Sequence, residues 1–176
     1  YGSTEEQKVL LRSLLTQWYR PQLEQLNALE SLSPDQNQYR KFMVSTLALR
    51  ARDEALLQEL TEMAKRYTGF GGDEKINPQS TDANYAYIAL LAGVERLGKP
   101  FTDLLWKQFL AEENVTLRER HLDALARSKD PEVAAKLRDA ILSPEVAVNE
   151  FGYIISGQMD GPHNQQAMWQ WMQENF

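Results

Sequence analysis

The chain of 176 residues contains no cysteine, two histidines and no excess of positive charge. Without cysteine it can form neither disulfides nor zinc sites with thiolate ligands. Its 19 lysines and arginines against 25 aspartates and glutamates give a formal net charge of −6, which argues against a nucleic-acid partner. No apolar run approaches the roughly 20 residues that a membrane-spanning helix needs, so no membrane span is predicted.

Targeting signals are also absent from the start of the sequence. The stretch YGSTEEQKVL has neither the basic beginning nor the apolar core of a secretory signal peptide. Hydrophobic content of 43% and charged content of 25% are those of a globular protein. We therefore expect a soluble protein of unidentified compartment. The length of 176 residues predicts one domain over residues 1–176. Because the chain begins with Tyr1 rather than methionine, we expect a processed product or a piece of a longer protein.

Helix formers dominate the sequence, and proline follows a capping residue at several points. Ser, Asn or Asp at the N-cap and Pro at the next position are typical of a helix start. Such signals occur at Pro34, Pro78, Pro131 and Pro144, and Gly161-Pro162 adds a fifth. Between them the apolar spacing is helical. The pattern predicts about nine helices, over residues 4–30 (with a break near Pro21 as one option), 35–51, 53–68, 78–97, 101–112, 115–128, 131–143, 144–158 and 163–175.

Short consecutive helices with short turns predict an all-α fold of stacked helix pairs. The separation of Pro131 and Pro162 is about that of one helix pair, which favours a superhelix of antiparallel pairs like HEAT or armadillo repeats. A compact helical bundle fits the same pattern. The glycine-rich stretch 68–80 is predicted to be a linker, because it lacks the order and the preceding strand of a phosphate-binding loop.

The residues that usually carry chemistry are scattered. His121 and His163 do not belong to an H-E-x-x-H zinc motif. His121 borders an apolar helix face and is predicted to be a packed or partly exposed structural residue, whereas His163 is predicted to lie at a helix start. Trp169 and Trp171 point to different sides of the last helix, so we expect one to be buried and the other to reach a rim or a partner surface.

Three segments resemble, in order and spacing, the C-terminal helical domain of one enzyme family. They are LLWKQFL (104–110), LDALARSKDP (122–131) and AMWQWMQENF (167–176). The family comprises zinc aminopeptidases related to aminopeptidase N, puromycin-sensitive aminopeptidase and the endoplasmic reticulum aminopeptidases. The resemblance extends over about residues 40–176 and rests on packing motifs, not on catalytic ones.

The resemblance implies a curved helical solenoid that leans over an upstream catalytic domain of the same polypeptide and gates the access of peptide substrates. It also implies a zinc ion in that upstream domain, bound through H-E-x-x-H and a later glutamate. Neither a catalytic residue nor a metal ligand nor a cofactor is predicted within this chain. Arg120 and Glu150 match commonly polar family positions and are candidate substrate contacts. The alternative for both is an ion pair within the domain or a solvent-exposed charge.

Two other functions remain open from the sequence. The chain would act as a stand-alone helical-repeat scaffold if it bound a protein or peptide on its concave face without an upstream zinc domain. It would be a small α-helical enzyme if its carboxylates or His121 converged in a pocket with perturbed pKa values.

Overall fold

The computed structural model describes residues 4–175, and their regular structure is entirely helical, without a strand between Thr4 and Asn175. The predicted all-α class is therefore confirmed. Eight α-helices, close to the predicted number, occur in these residues. They are α1 (Glu5–Asn27), α2 (Pro34–Ser45), α3 (Glu54–Thr68), α4 (Ala83–Ala111), α5 (Val115–Ala126), α6 (Pro131–Ile141), α7 (Phe151–Met159) and α8 (Gln165–Asn175). A π-helical turn (Thr46–Arg50) and two 3-10 turns (Pro78–Ser80 and Val148–Glu150) accompany them.

Two of the proline signals begin α-helices as predicted. The Ser33 side chain accepts a hydrogen bond from the Gln36 amide, and the Gln36 side chain accepts one from the Ser33 amide, with Pro34 at the first position of α2. Asp130 caps α6 by accepting a hydrogen bond from the Glu132 amide, at the start of the helix that Pro131 opens. Each cap satisfies a backbone donor that the helix itself leaves unpaired.

The other three proline signals do not begin α-helices. Pro78 opens a short 3-10 turn, and α4 begins only at Ala83, where Asp82 is the cap. Pro144 lies in a turn ahead of α7, and Pro162 lies in a turn ahead of α8. Proline fixes a backbone angle that suits the first turn of a helix and also suits an isolated turn. These three helices therefore begin later than predicted.

Two further boundaries differ from the prediction. Helix α1 is continuous through Pro21, so the break considered there does not occur. Helix α4 joins the predicted helices 78–97 and 101–112, although Gly98, with φ of 65°, makes a non-helical break between them. A left-handed backbone angle of this kind is easily adopted only by glycine.

The chain forms two compact units, which divide between Leu60 and Thr61. In the first unit, α1, α2 and the turn Thr46–Arg50 pack on one another around Leu23, Met43 and Leu47. In the second unit, α4 packs on α5, and α5 packs on both α6 and α7. Helix α7 in turn contacts α6 and α8, so consecutive helices are neighbours, as expected for helix pairs. That residues 1–176 act as one domain stays a prediction.

Candidate functional site

Glu150, one of the two predicted site residues, lies in the 3-10 turn that leads into α7 and is 3% exposed. Its Oε1 accepts a hydrogen bond from Nε of Arg118 at 2.5 Å, and its Oε2 accepts one from Nη2 at 3.3 Å. The Ala147 amide also donates to Oε2, at 2.8 Å. Both carboxylate oxygens are thus occupied within the second unit, as in the ion-pair alternative considered from the sequence.

Arg118 connects three parts of the second unit. Its Nη1 donates to the carbonyl of Phe109 at 2.9 Å, and its Nη2 donates to the carbonyl of Glu145 at 2.6 Å. The guanidinium also lies 4.0 Å from the centre of the Phe109 ring, within the range of a cation–π contact. The side chain therefore ties α5 to the end of α4 and to the segment before α7. Nothing in the sequence singled out Arg118, because it lies 32 positions from Glu150 and only the packing of α5 brings them together.

Arg120, the other predicted site residue, lies two positions further along α5 and is half-buried. Within residues 4–175 its guanidinium has neither a hydrogen-bond partner nor an ion-pair partner. Burial raises the pKa of Tyr67, and the charge of Arg120 opposes that shift. Burial lowers the pKa of His121, and Arg120 adds to that shift. The described contacts of Glu150 are with Arg118 and the Ala147 amide and do not include Arg120, and the role of each of the two predicted residues as a substrate contact stays a prediction.

His121 is fully buried beside Tyr67, with their ring centres 6.2 Å apart in an edge-to-face arrangement. Neither ring nitrogen has a hydrogen-bond partner within the described residues, and neither does the Tyr67 hydroxyl. Burial lowers the pKa of His121 to about 4; the carboxylate of Glu112 opposes this shift and Arg120 adds to it. The imidazole is therefore neutral at pH 7 and packs as an aromatic ring, as predicted for a packed residue.

His163 is exposed in the turn that precedes α8, as predicted for a residue near a helix start. The neighbouring Asn164 anchors this turn to the segment that follows α5, since its Nδ2 donates to the Ser128 carbonyl at 2.7 Å. In α8 itself Trp171 is buried and Trp169 is 55% exposed, which confirms that the two tryptophans have different surroundings.

The segment LDALARSKDP owes its pattern to packing and to a second polar network. The Tyr87 hydroxyl of α4 donates to the Asp123 carboxylate, and Arg127 donates to the Tyr87 oxygen at 3.1 Å. Arg127 also pairs with Asp123 and with Asp160 at the end of α7. This network joins α4, α5 and α7. Because each of its charged groups has a partner, we interpret it as a network that holds these helices together.

The glycine-rich stretch turns back on itself. The Gly69 carbonyl accepts from the amides of Gly72 and Glu74, at 2.9 and 3.1 Å. Gln108 of α4 holds the loop by donating from Nε2 to the carbonyls of Thr68 and Glu74. Backbone amides that donate within the loop are not directed at a phosphate, which agrees with the predicted linker.

Among residues 4–175, no group of three or more His, Asp and Glu side chains is arranged to hold a metal ion. None of the helices in the same part of the chain is both long and apolar enough to cross a membrane.

The sequence of the chain matches the family model of the ERAP1-like C-terminal domain over residues 1–176. The chain belongs to this family. ERAP1-like C-terminal domains are the C-terminal domains of aminopeptidase N family enzymes, so the resemblance found in the three packing segments is confirmed and the chain is the C-terminal domain of an aminopeptidase. No curated protein sequence matches the chain.

Proposed function

We propose that this ERAP1-like domain closes over the catalytic domain of its parent aminopeptidase and limits which peptides reach the active site. The observation that supports the proposal is the family match over the full chain. On this proposal the zinc ion, which activates a water molecule for peptide-bond hydrolysis, belongs to the upstream domain. This chain contributes no catalytic group. Its part is to exclude water and oversized substrates when the chamber is closed, as lids do in other enzymes.

Within this function we propose Arg120 as the residue that contacts the peptide. Its guanidinium is half-buried, so its orientation is restrained, yet its donors are not used by the described residues. A guanidinium with free donors binds carboxylate or carbonyl oxygens of a peptide well. Glu150 is the weaker candidate, because Arg118 and the Ala147 amide already occupy its oxygens. We propose that Glu150 instead fixes the position of α5, on which Arg120 lies.

The test uses the intact parent enzyme, its zinc content and two substrate classes. One is an aminoacyl chromogenic substrate, which is too short to extend from the active site to this domain. The other is a peptide of about ten residues or more. We expect Arg120→Gln to leave turnover of the short substrate unchanged and to raise KM for the long peptide by about tenfold, the loss of one charged hydrogen bond. Arg66→Gln is the matched control, since Arg66 is an exposed arginine of the same unit.

Three results would contradict the proposal. Equal effects of Arg120→Gln and Arg66→Gln on long peptides would remove Arg120 from the substrate path. A large folded protein, added as a third substrate, that is cleaved as well as the peptide would contradict gating. A parent protein without zinc and without peptidase activity would leave a helical-repeat scaffold as the function of the chain.

A further inference from the structure

Three buried polar side chains have hydrogen-bonding atoms without partners where the end of α3 meets α4 and α5. Tyr67 is 1% exposed and His121 is fully buried, and neither the Tyr67 hydroxyl nor either ring nitrogen of His121 has a partner within the described residues. Gln108 is also buried, and its Oε1 accepts no hydrogen bond from them. Buried polar groups of folded proteins are nearly always paired with protein atoms or with ordered water, so these atoms require an explanation.

The three side chains belong to neighbouring positions of the second unit. The rings of Tyr67 and His121 meet edge to face, with 6.2 Å between their centres. Gln108 reaches the same end of α3, because its Nε2 donates at 2.7 Å to the carbonyl of Thr68, the residue that follows Tyr67. The unpaired atoms are therefore concentrated in one part of the core, which is typical of a binding site for a small polar molecule.

The charges around the two rings indicate that this molecule is neutral. Burial raises the pKa of Tyr67 and lowers that of His121. Beyond burial, the carboxylate of Glu112 raises both pKa values and the guanidinium of Arg120 lowers both. Because these two charges have opposite signs, neither an anion nor a cation is favoured beside the rings. A metal ion is not favoured either, since no group of three or more His, Asp and Glu side chains within residues 4–175 is arranged to hold one.

The unpaired atoms include both donors and acceptors. A neutral imidazole presents one N–H donor and one acceptor nitrogen, whichever tautomer is present. The Tyr67 hydroxyl can donate and accept, and Oε1 of Gln108 can only accept. A small molecule that both donates and accepts can satisfy all three side chains. Buried water molecules in globular proteins do this, and they typically make about three hydrogen bonds to otherwise unpaired groups.

We infer that Tyr67, His121 and Gln108 line an internal water site where α3, α4 and α5 meet. The bound water accepts a hydrogen bond from the Tyr67 hydroxyl and donates to the acceptor nitrogen of His121 and to Oε1 of Gln108. The contact between α3 and α5 then depends on a water-mediated hydrogen bond as well as on ring packing. Such a bridge is nearly as favourable in enthalpy as a direct hydrogen bond.

Thermal unfolding of Tyr67→Phe tests whether the hydroxyl has a partner. Removal of a hydroxyl that binds a buried water lowers Tm, whereas removal of a buried hydroxyl without a partner leaves Tm unchanged or raises it. We expect Tyr67→Phe to lower Tm by about 2–4 °C, the shift that loss of one hydrogen bond causes in a chain of this size. Tyr87→Phe is the matched control, because the Tyr87 hydroxyl donates to Asp123 in the structure and its loss should also lower Tm.

A high-resolution crystal structure of the unaltered chain distinguishes a water from a direct bond between the two side chains. An ordered water within about 3.2 Å of the Tyr67 hydroxyl and of a ring nitrogen of His121 supports the inference. A direct hydrogen bond between Tyr67 and His121 without a water would overturn it, even if Tyr67→Phe unfolds at a lower temperature. An unchanged or raised Tm of Tyr67→Phe, together with the expected fall for Tyr87→Phe, would show that the hydroxyl has no partner and would overturn it as well.

Discussion

The buried ion pair of Arg118 and Glu150 is the contact that we expect to contribute most clearly to the stability of the second unit. Their side chains are 20% and 4% exposed, so removal of one partner leaves the other charge in a poorly solvated site. We expect Arg118→Met to lower the free energy of unfolding by about 3 kcal/mol, and we expect the double variant Arg118→Met with Glu150→Leu to recover part of that loss. Urea denaturation of the two single variants and the double variant measures both effects.

The control is the exposed pair of Lys107 and Glu74, with side chains 73% and 54% exposed. Lys107→Met should change the free energy of unfolding by about 1 kcal/mol or less, since exposed pairs contribute little. If Arg118→Met costs no more than Lys107→Met, the buried pair does not stabilise the unit in the way its geometry indicates.

The lowered pKa of His121 predicts that the folded protein loses stability in mild acid. Burial lowers its pKa from 6.5 to about 4, so the unfolded chain takes up a proton at a higher pH than the folded chain does. Titration of His121 therefore does not change the free energy of unfolding above pH 7. As the pH falls from 6.5 towards 4, it lowers the free energy of unfolding by about 1.4 kcal/mol for each pH unit. We expect His121→Leu to unfold at a urea concentration that falls less between pH 7.5 and pH 5 than in the unaltered protein. An equal fall in both proteins would mean that carboxylates alone cause the acid sensitivity.

For single residues, only part of the candidate site could be predicted from the sequence. Two histidines without a zinc motif indicated structural roles, and the buried imidazole confirms one of them. Glu150 could be selected as a polar position but not paired, because its partner Arg118 is distant in the sequence and is set beside it by the packing of α5 and α7. The unpaired state of Arg120 could not be foreseen for the same reason.

At the scale of elements, the close contact of α7 with α5 depends on Gly157. A Cβ atom at this position would lie 2.6 Å from the Cβ of Ala126 and 3.2 Å from its carbonyl carbon, too close to be relieved by a rotamer change. We expect Gly157→Ala to lower the free energy of unfolding by about 1–3 kcal/mol through overpacking, despite the better helix propensity of alanine. Thermal unfolding measures the effect.

Gly152 provides the control on the same helix. Nothing lies within 4 Å of a Cβ atom built there, so Gly152→Ala should gain roughly 0.5–1 kcal/mol from helix propensity alone. If both alanine variants were stabilised alike, α5 and α7 would be less closely packed than the structure has them.

Which segments form helices could be predicted from the sequence, whereas the residues at which several helices begin could not. Capped prolines gave the starts of α2 and α6, where Ser33 and Asp130 accept from the helix amides. Pro78 instead opens a 3-10 turn, and Pro144 and Pro162 lie in turns, each ahead of a helix that begins later. Local capping chemistry marks where a helix can begin, and tertiary burial decides whether it begins there.

For the whole molecule, the family assignment came from the order and spacing of packing motifs and not from any catalytic residue. The segment 122–131 illustrates this, because Asp123, Arg127 and Asp130 have structural partners or cap a helix. Such motifs identify the domain, since they encode its helix contacts. They do not encode the substrate, which explains why peptide gating and the role of Arg120 are proposals that need the intact enzyme.

Metal removal should separate the stability of this chain from the activity of its parent. A zinc site filled at 100 times its Kd would stabilise the fold by about 2.7 kcal/mol and raise Tm by several degrees. Residues 4–175 include no cluster suited to a metal, so we expect the Tm of the chain to stay within about 1 °C when zinc is added or a chelator is present. The same chelator should abolish peptidase activity of the intact parent, and added zinc should restore it. A rise in the Tm of the chain with zinc would place a metal site in this domain and contradict the assignment of the ion to the upstream domain.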